Sequence, residues 1–258
     1  MICRDEGIVL RTRDFRETSK IAVFYTKMSG KMSGLFKGIR KDPRKFATHL
    51  DFLSLNEIVF YKKRFSELHL VSQCDLKNDF RQCKADIARL ALASYCVELL
   101  DAVTQVEDAH PELFDLLVGA LGSFCAQEKV IPLIYNFTIK ALSLSGFQPH
   151  LESCVVCRSS IRTHAHFSNR FGGLLCDKCL AQDPQRERIH AGTIATILFF
   201  QNKSWHDCLR LHLLPVIEQQ LNRIIFSFLS FNLEKKFKSL GVLDELLAQK
   251  PAGRQKSS

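Results

Sequence analysis

The sequence predicts an α+β protein in which an N-terminal five-stranded barrel of the OB type precedes an all-helical domain carrying a four-cysteine finger. Three observations predict it. Residues 1–80 read as short alternating runs separated by turns, the period turns helical from Phe80 onward, and two C-x-x-C knuckles interrupt the helical part.

The strands come first. Glu6–Thr12, Lys20–Lys27 and Lys31–Lys37 are apolar runs parted by polar or glycine-containing turns, with Met28-Ser29-Gly30 marking a hairpin. Past the breaker Lys41-Asp42-Pro43-Arg44 lie Leu53–Tyr61 and Glu67–Ser72. Five short strands rich in Ile, Val, Phe and Tyr suit a small barrel, whose closure removes exposed edges. An SH3-like barrel fits the pattern almost as well. Alternation allows only one of Phe24 and Tyr25 to point inward.

The helices follow. In Ala85–Val103 the stripe Ile87, Leu90, Ala91, Ser94, Val97, Glu98, Leu100 recurs at spacings of three and four. His110-Pro111-Glu112 opens a second helix with buried face Leu113, Leu116, Leu117, Ala120, Leu121 and Phe124. A third spans about Leu133 to Ser145 and stops at Gly146. A fourth, Ala191–Gln201, is almost wholly apolar and is expected deep in the core. The last, Leu214–Lys238, is amphipathic, with Lys235, Lys236 and Lys238 at the end its dipole favours. The domains expected are therefore 1–80, a barrel, and 81–249, helical with its finger at about 150–182. Residues 250–258 are expected to form a disordered tail.

Composition narrows the class. The 258 residues are 46% hydrophobic and 24% charged, the balance of an ordinary globular protein. No run approaches the roughly 20 apolar residues of a membrane span, so no membrane partner is expected. The charged start Met1-Ile2-Cys3-Arg4-Asp5-Glu6 lacks the apolar stretch of a secretory signal, so a cytoplasmic protein is expected. In that reducing compartment Cys3, Cys74, Cys83, Cys96, Cys125 and Cys208, which have no ligand-like spacing, read as small hydrophobes. The net charge is +9. Residues 1–80 hold 16 Lys and Arg against 10 Asp and Glu, so the excess is concentrated in the barrel, as attraction to a polyanion would require.

The remaining cysteines carry chemistry. Cys154-Val155-Val156-Cys157 and Cys176-Asp177-Lys178-Cys179 enclose the 18 residues 158–175, which matches the zinc pattern C-x2-C-x15–20-C-x2-C. Zn²⁺ favours four tetrahedral ligands with bonds of about 2.3 Å to sulfur, and each knuckle offers two thiolates from one bend. A filled four-cysteine set leaves no position for a catalytic water, so one structural zinc per chain is expected. His164 and His166 lie between the knuckles and are alternative ligands. A redox C-x-x-C would need an adjacent βαβ pattern, and none is present. His110-Pro111-Glu112 ahead of a C-x-x-C resembles the zinc-deaminase signature, but Leu175 stands where that signature has proline and a whole knuckle is left over. No phosphate-binding glycine loop or hydrolase nucleophile motif occurs, so no enzyme is expected.

Basic residues flank the barrel turns: Arg11, Arg13, Arg16 and Lys20, then Lys37, Arg40, Lys41, Arg44 and Lys45, interleaved with Phe15, Phe24, Tyr25, Phe36 and Phe46. Single-strand binders pair such cationic grooves with aromatic faces. Most of these aromatics have to fill a small core, so one or two reach solvent and electrostatics carry the affinity.

The stretch Gly7-Ile8-Val9-Leu10-Arg11-Thr12-Arg13-Asp14-Phe15-Arg16-Glu17-Thr18-Ser19-Lys20 resembles the start of the RecO family of bacterial DNA-repair recombination mediators. Thr26–Gly34, Lys37-Gly38-Ile39-Arg40-Lys41, Leu144-Ser145-Gly146-Phe147-Gln148-Pro149, Phe167-Ser168, Gly172–Cys176 and Lys238-Ser239-Leu240 continue the likeness in order. The resemblance implies an OB fold, a helical C-terminal domain and, in many members, a zinc finger. It implies binding of single- and double-stranded DNA, strand annealing, a partner RecR, and contact with the acidic C-terminal tail of single-stranded-DNA-binding protein that lets recombinase load. By motif, the DNA contacts are Arg11, Arg13, Lys37, Arg40 and Lys41. Leu50-Asp51-Phe52-Leu53 departs by lacking an expected proline, and Phe36 by replacing a small residue. The alternative is a zinc-containing OB-fold RNA-binding or interaction scaffold without annealing activity.

Overall fold

The computed structural model describes residues 1–48, 50–63, 66–127, 130–161 and 164–233, with Phe237, Ser239 and Gly241. The expected tail 250–258 and Lys235, Lys236 and Lys238 lie outside the described residues. The chain packs as two compact units, residues 1–126 with the segment beginning at Phe237, and residues 127–236.

The first unit is built on β1 (Ile2–Phe15), β2 (Ser19–Thr26), β3 (Gly30–Phe36), β4 (Leu55–Tyr61) and β5 (Leu68–Asn78). They close into an OB-like barrel in the order β1-β2-β3-β5-β4, with β4 pairing back onto β1 and only β3–β5 parallel. All five expected strands are present. The first starts earlier because charged residues extend it: Arg4 on β1 meets Glu57 on β4 at 2.6 Å, a cross-strand pair that no hydrophobic pattern announces. Val9, Ala22, Phe24, Met32, Phe36, Ile58, Phe60 and Val71 fill the interior. Phe36 stacks edge-on against Phe46 at 5.0 Å, so the unexpected ring is a core ring. Leu50 and Leu53 take positive φ of 56° and 67°, and the Leu53 N–H donates to the Val9 carbonyl, so the segment lacking the proline still folds onto β1.

A bulge between Val9 and Arg11 changes the strand's character. Beyond it Arg11, Thr12, Arg13 and Asp14 are all exposed: this end of β1 stays paired with β2, but its pairing with β4 stops at Ile8.

Three helices follow the barrel in this unit among the described residues 81–126: α1 (Arg81–Ala85), α2 (Ile87–Val103) and α3 (Pro111–Ala126). Asp86 breaks the helix expected from Ala85, since its carboxylate accepts from the Arg89 N–H and caps α2. The expected stripe of α2 is corrected in consequence. Ile87 is 80% exposed, and the buried side chains are Leu92, Ala93, Tyr95, Cys96, Val97, Leu99 and Leu100, on more than one face. The face expected for α3 is buried throughout, with Phe114 added. Only Phe24 of the expected pair points inward, yet Phe24 and Tyr25 are both fully buried, and Phe114 explains why. Phe24 points into the barrel, whereas Tyr25 on the opposite side of β2 lies 6.4 Å from the Phe114 ring and donates its hydroxyl to the His110 carbonyl. Alternation holds, but a helix covers the outer face.

The second unit holds α4 (Ile131–Leu144), the sheet β7-β6-β8 formed by β6 (Ala165–Ser168), β7 (Gly173–Leu175) and β8 (Glu187–Ile189), then α5 (Ala191–Asn202), α6 (Trp205–Leu209) and α7 (Pro215–Leu233). Buried polar groups lock the helices. Asn136 of α4 donates to the Phe200 carbonyl and to Cys208 Sγ, tying α4 to α5 and α6. Gln220 of α7 accepts from the His190 N–H and the Thr193 hydroxyl. The expectation that α5 lies deep is corrected: Ala191, Gly192 and Ala195 are exposed, and one face with Thr193, Thr196, Ile197 and Phe200 is buried. The most exposed apolar residues are small, while Ile194, Leu198 and Phe199 are half-buried.

Candidate nucleic-acid interface and metal centre

The basic residues of the barrel gather at one end because two turns are hydrogen-bonded together. The Arg40 N–H donates to the Thr18 carbonyl at 2.9 Å, and the Arg40 guanidinium donates to the Arg16 carbonyl at 3.2 Å. The turn after β1 is thereby joined to the turn after β3. Lys45 Nζ donates to the Lys37 carbonyl at 2.8 Å, which folds the second turn upon itself. Lys37, Arg40, Lys41, Arg44 and Lys45 are all exposed, and Arg16 joins them from the first turn. Two carboxylates moderate the charge: Asp14 lies 3.5 Å from Arg40 and Asp42 lies 3.6 Å from Arg44. Arg13 is exposed on the end of β1 beyond the bulge.

Arg11 is placed differently. Its guanidinium lies 3.2 Å from Asp101 of α2, and that same carboxylate receives Lys31 at 2.7 Å. Of the five residues singled out in the barrel, Arg13, Lys37, Arg40 and Lys41 are thus exposed on the end of β1 and the joined turns, whereas Arg11 is engaged by a helix. Sequence reasoning had no way to foresee this acidic partner on another element.

Among the interleaved aromatics, Phe24, Tyr25, Phe36 and Phe46 are buried. Phe15 keeps an accessible face, with the Arg16 guanidinium 5.3 Å from its ring. One ring of five at solvent leaves cationic groups as the main feature of this surface.

In the second unit the two knuckles converge. Sγ atoms of Cys154, Cys157, Cys176 and Cys179 all lie within 4.8 Å of one another, and Cys157 and Cys176 are 3.6 Å apart. Tetrahedral bonds of about 2.3 Å place sulfurs roughly 3.8 Å apart, so this donor set fits one zinc-sized ion. The first knuckle is a tight turn closed by the Arg158 N–H to the Cys154 carbonyl, and the second by the Cys179 N–H to the Cys176 carbonyl. The Val155 N–H donates to the Leu174 carbonyl, laying the first knuckle along β7. Gly173 allows that approach, since a Cβ there would sit 2.4 Å from the His150 carbonyl oxygen.

The thiols differ in acidity. The Ser159 hydroxyl, then its backbone N–H, draws the Cys157 thiol down to about 6. Burial works against Cys154, yet the N–H groups of Cys157, Cys176 and Val156 hold it below the ordinary thiol range. Burial and the neighbouring thiols push Cys179 up to about 12. Cys157 is therefore ready as a thiolate at neutral pH, the form a metal ligand must take. Ser159 was missed at the sequence level, although a hydroxyl two positions after a knuckle cysteine is a readable signal.

The histidines stand apart. His164 faces Asp177 at 4.0 Å, and His166 lies on β6. Neither belongs to the cysteine cluster. His110 pairs with Asp108 at 3.0 Å and is likewise no member of it.

No described helix is long and apolar enough to cross a membrane. The comparisons with known proteins divide the chain as the barrel does. Residues 1–80 match the family described as Recombination protein O N terminal, and residues 84–241 match Recombination protein O C terminal. A DNA repair protein RecO of Alkaliphilus metalliredigens is 29% identical over 248 residues, covering 95% of this chain and 100% of that protein. Its counterpart in Syntrophus aciditrophicus is 28% identical over 94% of this chain and 95% of its own length. That of Rhodopirellula baltica reaches 35% over 67% of this chain and 65% of its own length. Two adjoining family matches over a closed barrel and a helical unit with a four-cysteine cluster place this chain in the RecO family of DNA repair proteins.

Proposed function

We propose that this protein is a non-enzymatic recombination mediator that binds single- and double-stranded DNA on the joined turns of its barrel and anneals complementary strands. The observation that carries the reading is Arg40, whose backbone and guanidinium join two basic turns into one exposed surface. Such a surface meets phosphates without reading bases, so binding is sequence-independent and salt-sensitive. Either strand of a complementary pair is then held with its bases free to pair.

The metal of this reading is one structural zinc per chain, bound by Cys154, Cys157, Cys176 and Cys179, which braces the finger. Membership of the family supports RecR and the acidic tail of single-stranded-DNA-binding protein as partners, and recombinase loading on coated DNA as the outcome. A cytoplasmic, nucleoid-associated location in a bacterium agrees with that role.

Reversing Lys37, Arg40 and Lys41 to glutamate abolishes DNA binding and ATP-independent annealing while leaving metal content unchanged. Binding that survives at physiological salt removes the cluster from the interface. Filter binding of single strands, duplex and RNA across a salt series separates this reading from the RNA-binding scaffold.

A further inference from the structure

Cys83 and Cys125 lie 42 positions apart in the chain, yet their Sγ atoms approach to 2.9 Å. Cys83 sits on α1 and is buried, whereas Cys125 sits in the last turn of α3 and is partly exposed. The Arg89 guanidinium donates to the carbonyls of Phe124 and Cys125 at 2.8 and 3.2 Å, which fixes a positive charge beside the pair. Both cysteines belong to the first unit and neither is part of the four-cysteine cluster. We propose that Cys83 and Cys125 are a reversible dithiol–disulfide site oxidised by hydrogen peroxide.

The roles follow from exposure. Cys125 is the thiol that a small oxidant reaches, because it is partly exposed where Cys83 is buried. Its sulfur attacks one peroxide oxygen, the O–O bond breaks, and the departing hydroxide takes up the thiol proton as water, leaving a sulfenic acid. Cys83 then attacks that sulfur. The S–O bond breaks, and the hydroxyl leaves as water with the Cys83 proton. Two thiols and one peroxide give one disulfide and two waters, with two electrons passing from sulfur to oxygen. Burial pushes the Cys83 thiol up to about 12, which suits a resolving thiol that waits protonated until its partner is oxidised. Cys96, a fully buried neighbour, has no comparable route to solvent.

The bond would fasten α1, the first helix after the barrel, to the end of α3. Closing so long a loop restricts the unfolded chain, so the oxidised form withstands more heat. Pairs of this kind in reducing compartments are transient and redox-responsive rather than structural.

The test uses the full-length, zinc-loaded protein treated with a small molar excess of hydrogen peroxide, alkylated, digested without reductant and mapped by mass spectrometry. A Cys83–Cys125 linked peptide that dithiothreitol reverses, with a rise in thermal midpoint, is the result expected. Cys83→Ala should instead accumulate a Cys125 sulfenic acid that dimedone captures, and this holds even if the variant is less stable. The inference is overturned if Cys125 proceeds to sulfinic acid in the wild type with no linked peptide. It is equally overturned if Cys83 links to Cys96, or if the finger cysteines oxidise first with loss of zinc.

Discussion

The ammonium of Lys31 lies 2.7 Å from the Asp101 carboxylate and donates as well to the carbonyls of Asp101 and Thr104, so one lysine of β3 closes the C-terminal end of α2. The Lys31 side chain keeps only 12% of its exposure. Its charge favours the helix end as well as the carboxylate. Asp101→Ala strips this group of its charged partner and should destabilise the protein by about 2–3 kcal/mol in urea melts, the range for removing a charge-assisted bond from a partly buried site.

That clasp also separates Arg11 from its neighbours. Arg13→Ala should lower the logarithmic salt slope of single-strand binding by about 0.7, the value for one phosphate no longer neutralised. Arg11→Ala should change it less, because the Arg11 guanidinium is held 3.2 Å from Asp101 on α2 rather than free to meet a phosphate. Equal slopes for the two variants would show that Arg11 leaves the carboxylate when DNA binds.

Ser159 makes metal binding tolerant of mild acid. Its hydroxyl holds Cys157 at about 6, below the ordinary thiol value, so the ligand is charged at any pH above that point. Ser159→Ala raises the Cys157 pKa, and between about 6 and the ordinary value a proton then competes with the metal. Zinc affinity, measured by chelator competition, should fall several-fold near pH 7 and match the wild type above the ordinary thiol pKa. An equal loss at both pH values would point to damaged folding instead.

Removing a ligand removes the ion. Cys154→Ser or Cys179→Ser should bring zinc from about one per chain to near zero by elemental analysis and lower the thermal midpoint, since structural zinc contributes folding free energy. Strong chelation of the wild type should reproduce both effects.

Much of this was legible in the sequence for identifiable reasons. The α3 face, Leu113 to Phe124, could be read because its helix has one strong apolar side. The knuckles could be read because ligand spacing is set by the metal. The α2 stripe could not, because this helix is buried on more than one face and periodicity loses its contrast. Arg11 looked equivalent to Arg13, since nothing local reveals a carboxylate 90 positions away. Tyr25 was left without a place because alternation says which side a residue takes, and says nothing of what covers that side.

The Tyr25–Phe114 contact bears on how the protein can change over generations. An OB-like cassette cut at residue 80 would present a bare tyrosine ring and its apolar surroundings to water, inviting aggregation. The barrel with its basic turns therefore cannot be traded between lineages as a free-standing part. Alterations at position 25 should travel with compensating ones at position 114, and a transplanted barrel needs the stretch through Ala126 to keep that ring covered.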